Sequence, residues 1–259
     1  MPAGPSQSPD PVLVAASAMV FVDDLGAPVL TSEDAHHLVH VLRLHADETV
    51  IASDGAGRWV RCRLAGPAPA GPSSRDGLKR RGAPVSLLVE GSPTRQPRLE
   101  PAITVAFVPT KGERPEWVTQ KLTELGVDRI VPLRSNRSVV RWDGHRAERA
   151  VDRLRRVARE ASAQCRRTWL PEVTPVMDLD GLAALVGTRP PLAHMGGGSP
   201  GLTPPVVAIG PEGGWDDDEV ARGGAGVGLG PTVLRAETAA IAAGAVLCAL
   251  RDGVVRPLA

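Results

Sequence analysis

The sequence predicts an α/β domain with a mostly parallel sheet, preceded by a small β-rich domain. Three observations carry this. AITVAFVP, DRIVPL and PVVAIG are continuous apolar runs with the texture of strands buried on both faces, and helical patterns separate them. The stretch before them reads as short alternating strands around one helix. Between the two lies SPTRQPRLEP, rich in proline and polar residues, as linkers are.

Taken in order, residues 1–18 read as a disordered tail, with Met19 as an alternative initiator. VLVAASAMVFV has the length of a secretory apolar core, but no Lys or Arg precedes it. Residues 19–92 form the first domain. MVFVDD, ETVIASD, GRWVRCRL and PVSLLVEG are its strands, and together they suggest a small β-barrel. Its helix is SEDAHHLVHVLRL, with Ser32 as N-cap and an apolar stripe of Ala35, Leu38, Val39 and Leu42. AGPAPAGPSSRDGLKRRGA, Ala65 to Ala83, reads as a mobile loop. Residues 93–101 are the linker and 102–259 the second domain.

In that second domain a helix follows AITVAFVP. Pro115 sits in its first turn, Trp117, Val118, Leu122 and Leu125 are its apolar positions, and Gly126 stops it. A long helix spans about Gly144 to Arg166. PPLAHM, PVVAIG and VGLG supply later strands, and an Ala-rich helix ends the domain.

Composition excludes several classes. Of 259 residues, 42% are hydrophobic and the net charge is +1, so any nucleic-acid site must be local. Cys62, Cys165 and Cys248 form neither a zinc pattern nor an even disulfide framework, which favours a reducing, cytoplasmic setting. No apolar run is long enough to span a membrane, so no membrane partner is expected. His36, His37 and His40 share one helix but have no third ligand type nearby; they read as packing or RNA contacts, and no metal is expected.

Two stretches bear chemistry. AIGPEGGW sets a glycine loop directly after a buried strand, where α/β sheets bind ligands. It matches neither G-x-G-x-x-G nor a P-loop, and Glu212 would repel phosphate, so a neutral or cationic ligand fits better. A plain tight turn ahead of a helix capped by Asp216 fits equally well. LGPTVLRAETAAIAAGAVL is a turn leading into a helix whose small residues permit close packing, with Arg235 and Glu237 at its start.

Together, IGPEGGW and LGPTVLRAETA resemble the C-terminal signature of SPOUT-class RNA methyltransferases. The resemblance is strongest to the RsmE family, which methylates N3 of a uridine in bacterial 16S ribosomal RNA. HHLVHVLRL resembles the helix motif of that family's PUA-like domain. KGERPEWVTQKLTELGVDRIVPLRSNRSVVRW and REASAQCRRTWLPEV are similar to its central blocks. The resemblance covers about Met19 to Arg251.

It implies a knotted SPOUT domain (an α/β trefoil knot) behind a PUA-like β-barrel. It also implies a homodimer, S-adenosyl-L-methionine as cofactor, and the small ribosomal subunit as partner. The residues so implied at the cofactor are His194, Ile209, Gly210, Pro211, Glu212, Gly213, Leu229, Gly230, Leu234 and Arg235. Three departures stand out. Met195 replaces the family's acid after His194, the helix after GPEGG is clipped, and the arginine that often opens the PUA-like domain is missing.

For the reaction, Arg235 is expected to stabilise a uridine anion, or else to pair with Glu212 or Glu237. Glu237 would accept the proton or cap its helix. Between Arg134 and Arg167, eleven arginines face four acids, a local phosphate footprint in a near-neutral chain. Arg134, Arg137, Arg141, Arg149, Arg153 and Arg156 are the expected RNA contacts, with Arg98, Lys79, Arg80 and Arg81 extending the track. Two alternatives remain: another RNA target such as tRNA, and a catalytically silent RNA-binding assembly factor.

Overall fold

The computed structural model describes residues 10–65 and 85–256. They form two compact units, Ser8–Arg98 with Ala163–Trp169, and Leu99–Ser162 with Leu170–Ala259.

The first unit opens on α1 (Pro11–Ala15), capped by Asp10, whose carboxylate accepts from the Val12 amide at 2.8 Å. Leu13 is buried and Ala18 already starts β1 (Ala18–Phe21), so much of the stretch read as a tail is ordered structure. Next comes α2 (Ser32–His36). Its cap is Thr31 rather than Ser32: Thr31 is extended, and its hydroxyl accepts from the Asp34 amide at 3.0 Å. His37–Val41 continues it as a π-helical turn, with the Leu42 amide donating to the His37 carbonyl at 2.9 Å. That wider turn breaks the expected 3.6-residue stripe, so Leu38 is buried while Leu42 is exposed.

β2 (Thr49–Ser53), β3 (Arg58–Ala65) and β4 (Ser86–Arg95) complete a sheet of order β1-β2-β3-β4, parallel only between β1 and β2. Among the described residues no pairing joins β4 to β1, so the expected barrel stands as an open four-stranded sheet. Val60, Cys62 and Leu64 of β3 face a core with Val20, Val50, Ala52, Leu38 and Leu87, while Arg61 and Arg63 point to solvent. β4 absorbs the first part of the predicted linker, pairing Arg95 with Arg58. An edge strand tolerates Pro93, and the irregularity beside it begins at Gly91, φ 88°. The loop carrying Lys79, Arg80 and Arg81 lies outside the described residues.

Ala163–Trp169 also belongs to this unit. The Thr168 carbonyl accepts from the Gly57 amide at 3.1 Å, and the Trp169 indole donates to the Gln96 carbonyl at 3.0 Å. Arg166 donates to the carbonyls of Ala16 and Ser17, each at 3.0 Å. Arg98 lies over the Trp169 ring, 5.2 Å from its centroid. A Cβ at Gly57 would stand 2.3 Å from that ring, so the close approach requires glycine there.

The second unit is a six-stranded parallel sheet. Its elements are β5 (Thr104–Phe107), α3 (Arg114–Leu125), β6 (Arg129–Pro132), α4 (Gly144–Gln164), β7 (Glu172–Val173), α5 (Leu179–Val186), β8 (Leu192–Gly198), β9 (Val206–Ile209), α6 (Asp217–Arg222), β10 (Gly226–Val227) and α7 (Ala236–Arg251). The strand order is β10-β8-β9-β5-β6-β7. Both faces are covered, which is why the strands read as unbroken apolar runs. Val105, Phe107, Ile130 and Val207 meet α3, α4 and α7 through Val118, Leu122, Leu154, Ala240 and Leu247. Ala106, Val108, Val131 and Ala208 meet α5 through Leu179 and Leu182.

α3 stops at Gly126 in the left-handed conformation, as its sequence predicts, but Trp117 stays 47% exposed and is not part of the core. The small residues of α7 do allow close packing: a Cβ at Gly244 would lie 2.6 Å from Leu122 Cδ2. Arg251 ends α7 with its guanidinium on Asp128, Nη1 to Oδ2 at 2.7 Å, both side chains nearly inaccessible.

Candidate active site

Strand order reverses between β5 and β9: the chain goes from β5 to β6 and β7 on one side, while β8 and β10 lie beyond β9 on the other. Loops leaving the carboxyl ends of β5 and β9 therefore diverge and open a crevice. A cavity of about 550 Å³ lies there, lined by Pro109–Arg114, Arg137–Val140 and Pro211–Gly213.

The GPEGGW loop forms one wall. Its turn closes with the Gly214 amide donating to the Pro211 carbonyl at 2.9 Å. Trp215 folds back on Gly210, where a Cβ would stand 2.9 Å from the indole, so the loop is compact only because that residue is glycine. Asp216 caps α6 in a reciprocal capping box with Glu219. The clipped six-residue helix is thus well terminated, as the run of acids predicts. Asn136 locks the box from the β6 loop, its amide on Glu219 at 3.0 Å and its side chain on Asp216 at 2.6 Å. That side-chain bond, with the Glu219 amide second, holds the Asp216 carboxyl below the usual carboxylate range.

Arg137 donates to the carbonyls of Gly213 and Trp215 at 3.2 and 3.1 Å. It therefore braces the loop, a role its RNA assignment did not include. Arg134 faces Asp143 at 3.8 Å and Arg153 meets Glu116 at 3.1 Å, whereas Arg141, Arg149 and Arg156 are exposed.

Neither Glu212 nor Glu237 pairs with Arg235, which is exposed at the N-cap of α7. Both pair with Arg114 instead, Nη1 to Glu212 Oε1 at 3.3 Å and Nε to Glu237 Oε1 at 3.5 Å. Glu237 is buried and its Oε2 has no partner. Arg114 and Lys111 escaped the sequence reading. Their signal was KGER, which follows the β5 run as GPEGG follows β9.

Leu229 and Leu234 are half-buried against the core that holds Ile209, together with Ala193. Gly230 has φ 130°, a conformation open to glycine. His194 is exposed on β8 beside Gly226, and Met195, in place of the acid, is 49% exposed. Among the described residues no group of three or more metal-ligating side chains gathers, and no helix is long and apolar enough to cross a membrane. The rings of His36 and His40 lie 4.8 Å apart on the other unit.

Comparison with known proteins finds relatives of this chain. Residues 97–248 match the model of an RNA methyltransferase domain, and residues 30–69 that of an RNA methyltransferase PUA domain. Ribosomal RNA small subunit methyltransferase E of Mycobacterium bovis is 32% identical over 254 residues, covering 88% of this chain and 91% of the relative. That of Bacillus subtilis is 29% identical over 240 residues, covering 81% and 85%. The structure of the Neisseria gonorrhoeae enzyme of that name, bound to S-adenosyl methionine, superposes with a TM-score of 0.68 at 26% identity, covering 90% of this chain and 97% of that one. The α/β unit and the PUA-like sheet both have counterparts there, and the chain belongs to the RNA methyltransferase family of ribosomal RNA small subunit methyltransferase E.

Proposed function

We propose that the chain methylates N3 of a uridine in 16S ribosomal RNA, using S-adenosyl-L-methionine. The observation that carries the reading is a buried carboxylate, Glu237, joined through Arg114, a residue lining the switch-point cavity, to Glu212 of the glycine loop. The names of the curated relatives and the cofactor in the Neisseria structure supply the substrate class and the cofactor.

The residues fit that cofactor. A compact glycine loop offers backbone groups, Leu229 and Leu234 offer an apolar wall for a base, and the orphan oxygen of Glu237 favours a cation. Pro211, Glu212, Gly213 and Gly230 would hold it with them. When bound, it supplies an electrophilic methyl group on a sulfonium.

Uridine N3 becomes a nucleophile only after its imide proton leaves. Glu237 accepts that proton, and Arg114 holds the carboxylate in position. Arg235, exposed and unpaired among the described residues, stabilises the charge that develops on O2 or O4. From the family resemblance the reading extends to a trefoil knot in the second unit, a homodimer and a cytoplasmic location.

The test is methyl transfer from labelled S-adenosylmethionine to unmodified small subunits, followed by nucleoside analysis. Label in 3-methyluridine is the expected result. Label in another nucleoside would sink the N3 assignment. Met195 favours a second reading, a knotted RNA-binding factor without chemistry; failure to bind cofactor in calorimetry would decide for it.

A further inference from the structure

We propose that a second hollow beside the glycine-loop cavity binds a backbone phosphate of the RNA adjacent to the target nucleotide. It rests on the reading above that the substrate is RNA. The hollow has a volume of about 400 Å³ and shares Thr110, Lys111, Gly112 and Val140 with the first cavity, so its occupant neighbours whatever the first cavity holds.

Its opposite wall is one face of α4, where Arg146, Arg149 and Arg153 follow at helical spacing, with half-buried Trp142 alongside. Arg153 is matched by Glu116 at 3.1 Å. The side chains of Lys111, Arg146 and Arg149 have no acidic or hydrogen-bonding partner among the described residues. Three unmatched cations around one hollow repel one another, and an anion among them turns that repulsion into attraction. Trp142 adds an apolar surface on which a sugar or base can lie.

The same contacts sort the arginine track. Arg134 and Arg153 are engaged by carboxylates, and Arg137 by the loop carbonyls. Arg146, which the sequence reading did not single out, joins Arg149 as a cation free to meet phosphate.

The experiment measures binding of small subunits, and separately of an unstructured 20-nucleotide RNA, against salt for the full chain and for Arg146→Gln, Arg149→Gln and the double variant. Each lost contact is expected to flatten the log–log salt slope by ~0.7–0.9, and Arg149→Lys to restore it. In turnover, KM for subunits rises while kcat at saturation stays. Arg129→Gln, which breaks only the exposed pair with Glu172, is expected to behave as wild type. Thermal melts confirm that each variant is folded. Wild-type slopes on both RNAs for the double variant would overturn the subsite, as would a fall in kcat with KM unchanged. Flattened slopes on the short RNA, with no wild-type binding to subunits, would keep the subsite and overturn the ribosomal reading.

Discussion

Glu237 holds one oxygen toward Arg114 and leaves the other buried without a partner, an arrangement that costs stability unless a ligand completes it. Glu237→Gln keeps the shape and removes the base. We expect kcat to fall by about 10²–10⁴ and cofactor affinity to weaken with it, read by single-turnover transfer and calorimetry. Arg235→Ala should cost about 10²–10³ in kcat and leave the fold intact, which melting checks. Unchanged turnover in both would move the chemistry elsewhere. At Cys62, burial, the largest effect, pushes the thiol up to about 11, and the nearby Glu90 charge adds to it against a bond from the Ala52 backbone. Cys62 should therefore resist iodoacetamide at pH 8 in the native protein and label fully in denaturant. Native labelling at the rate of a free thiol would contradict that burial.

At the scale of elements, α3 and α7 meet where Gly244 faces Leu122. Gly244→Val overpacks that contact, with an expected loss of roughly 1–3 kcal/mol in urea melts. Arg251→Met leaves Asp128 buried opposite an apolar chain and should cost about 3–5 kcal/mol, because the pair is almost wholly out of water. Where the element pattern was local, the sequence made it legible. β5, β6 and β9 announced themselves as unbroken apolar runs, the Gly126 stop followed from one residue, and the α6 cap from DDDE after Trp215. What escaped depends on partners distant in sequence. β4 runs through Pro93 because β3 pairs with it, and Trp169 joins the N-terminal unit because Gly57 and Gln96 receive it. Arg114 became a site residue only when the sheet brought β5 beside β9. The glycine loop itself was plain in the sequence; the cation that holds its glutamate was not.

For the whole molecule, a net charge of +1 gives no general field to draw in a polyanion, so recognition rests on where cations remain unmatched. Among the described residues the chain passes between its two units at 98/99, 162/163 and 169/170. Cutting once at the first of these does not separate them. A fragment of residues 99–259 carries Thr168 and Trp169 without the backbone groups they bond, and should be poorly soluble; Trp169→Ser should improve its recovery. Equal recovery of the two fragments would show that the indole is no liability.

The same detour sets a timetable for synthesis. The strands of the N-terminal unit leave the ribosome early, yet the indole that covers Gly57 is made only after α4 has been translated. Until then the nascent chain carries a finished sheet with one open flank. That flank closes when most of the second unit is still to come, so the order of assembly is written into where Trp169 falls along the chain.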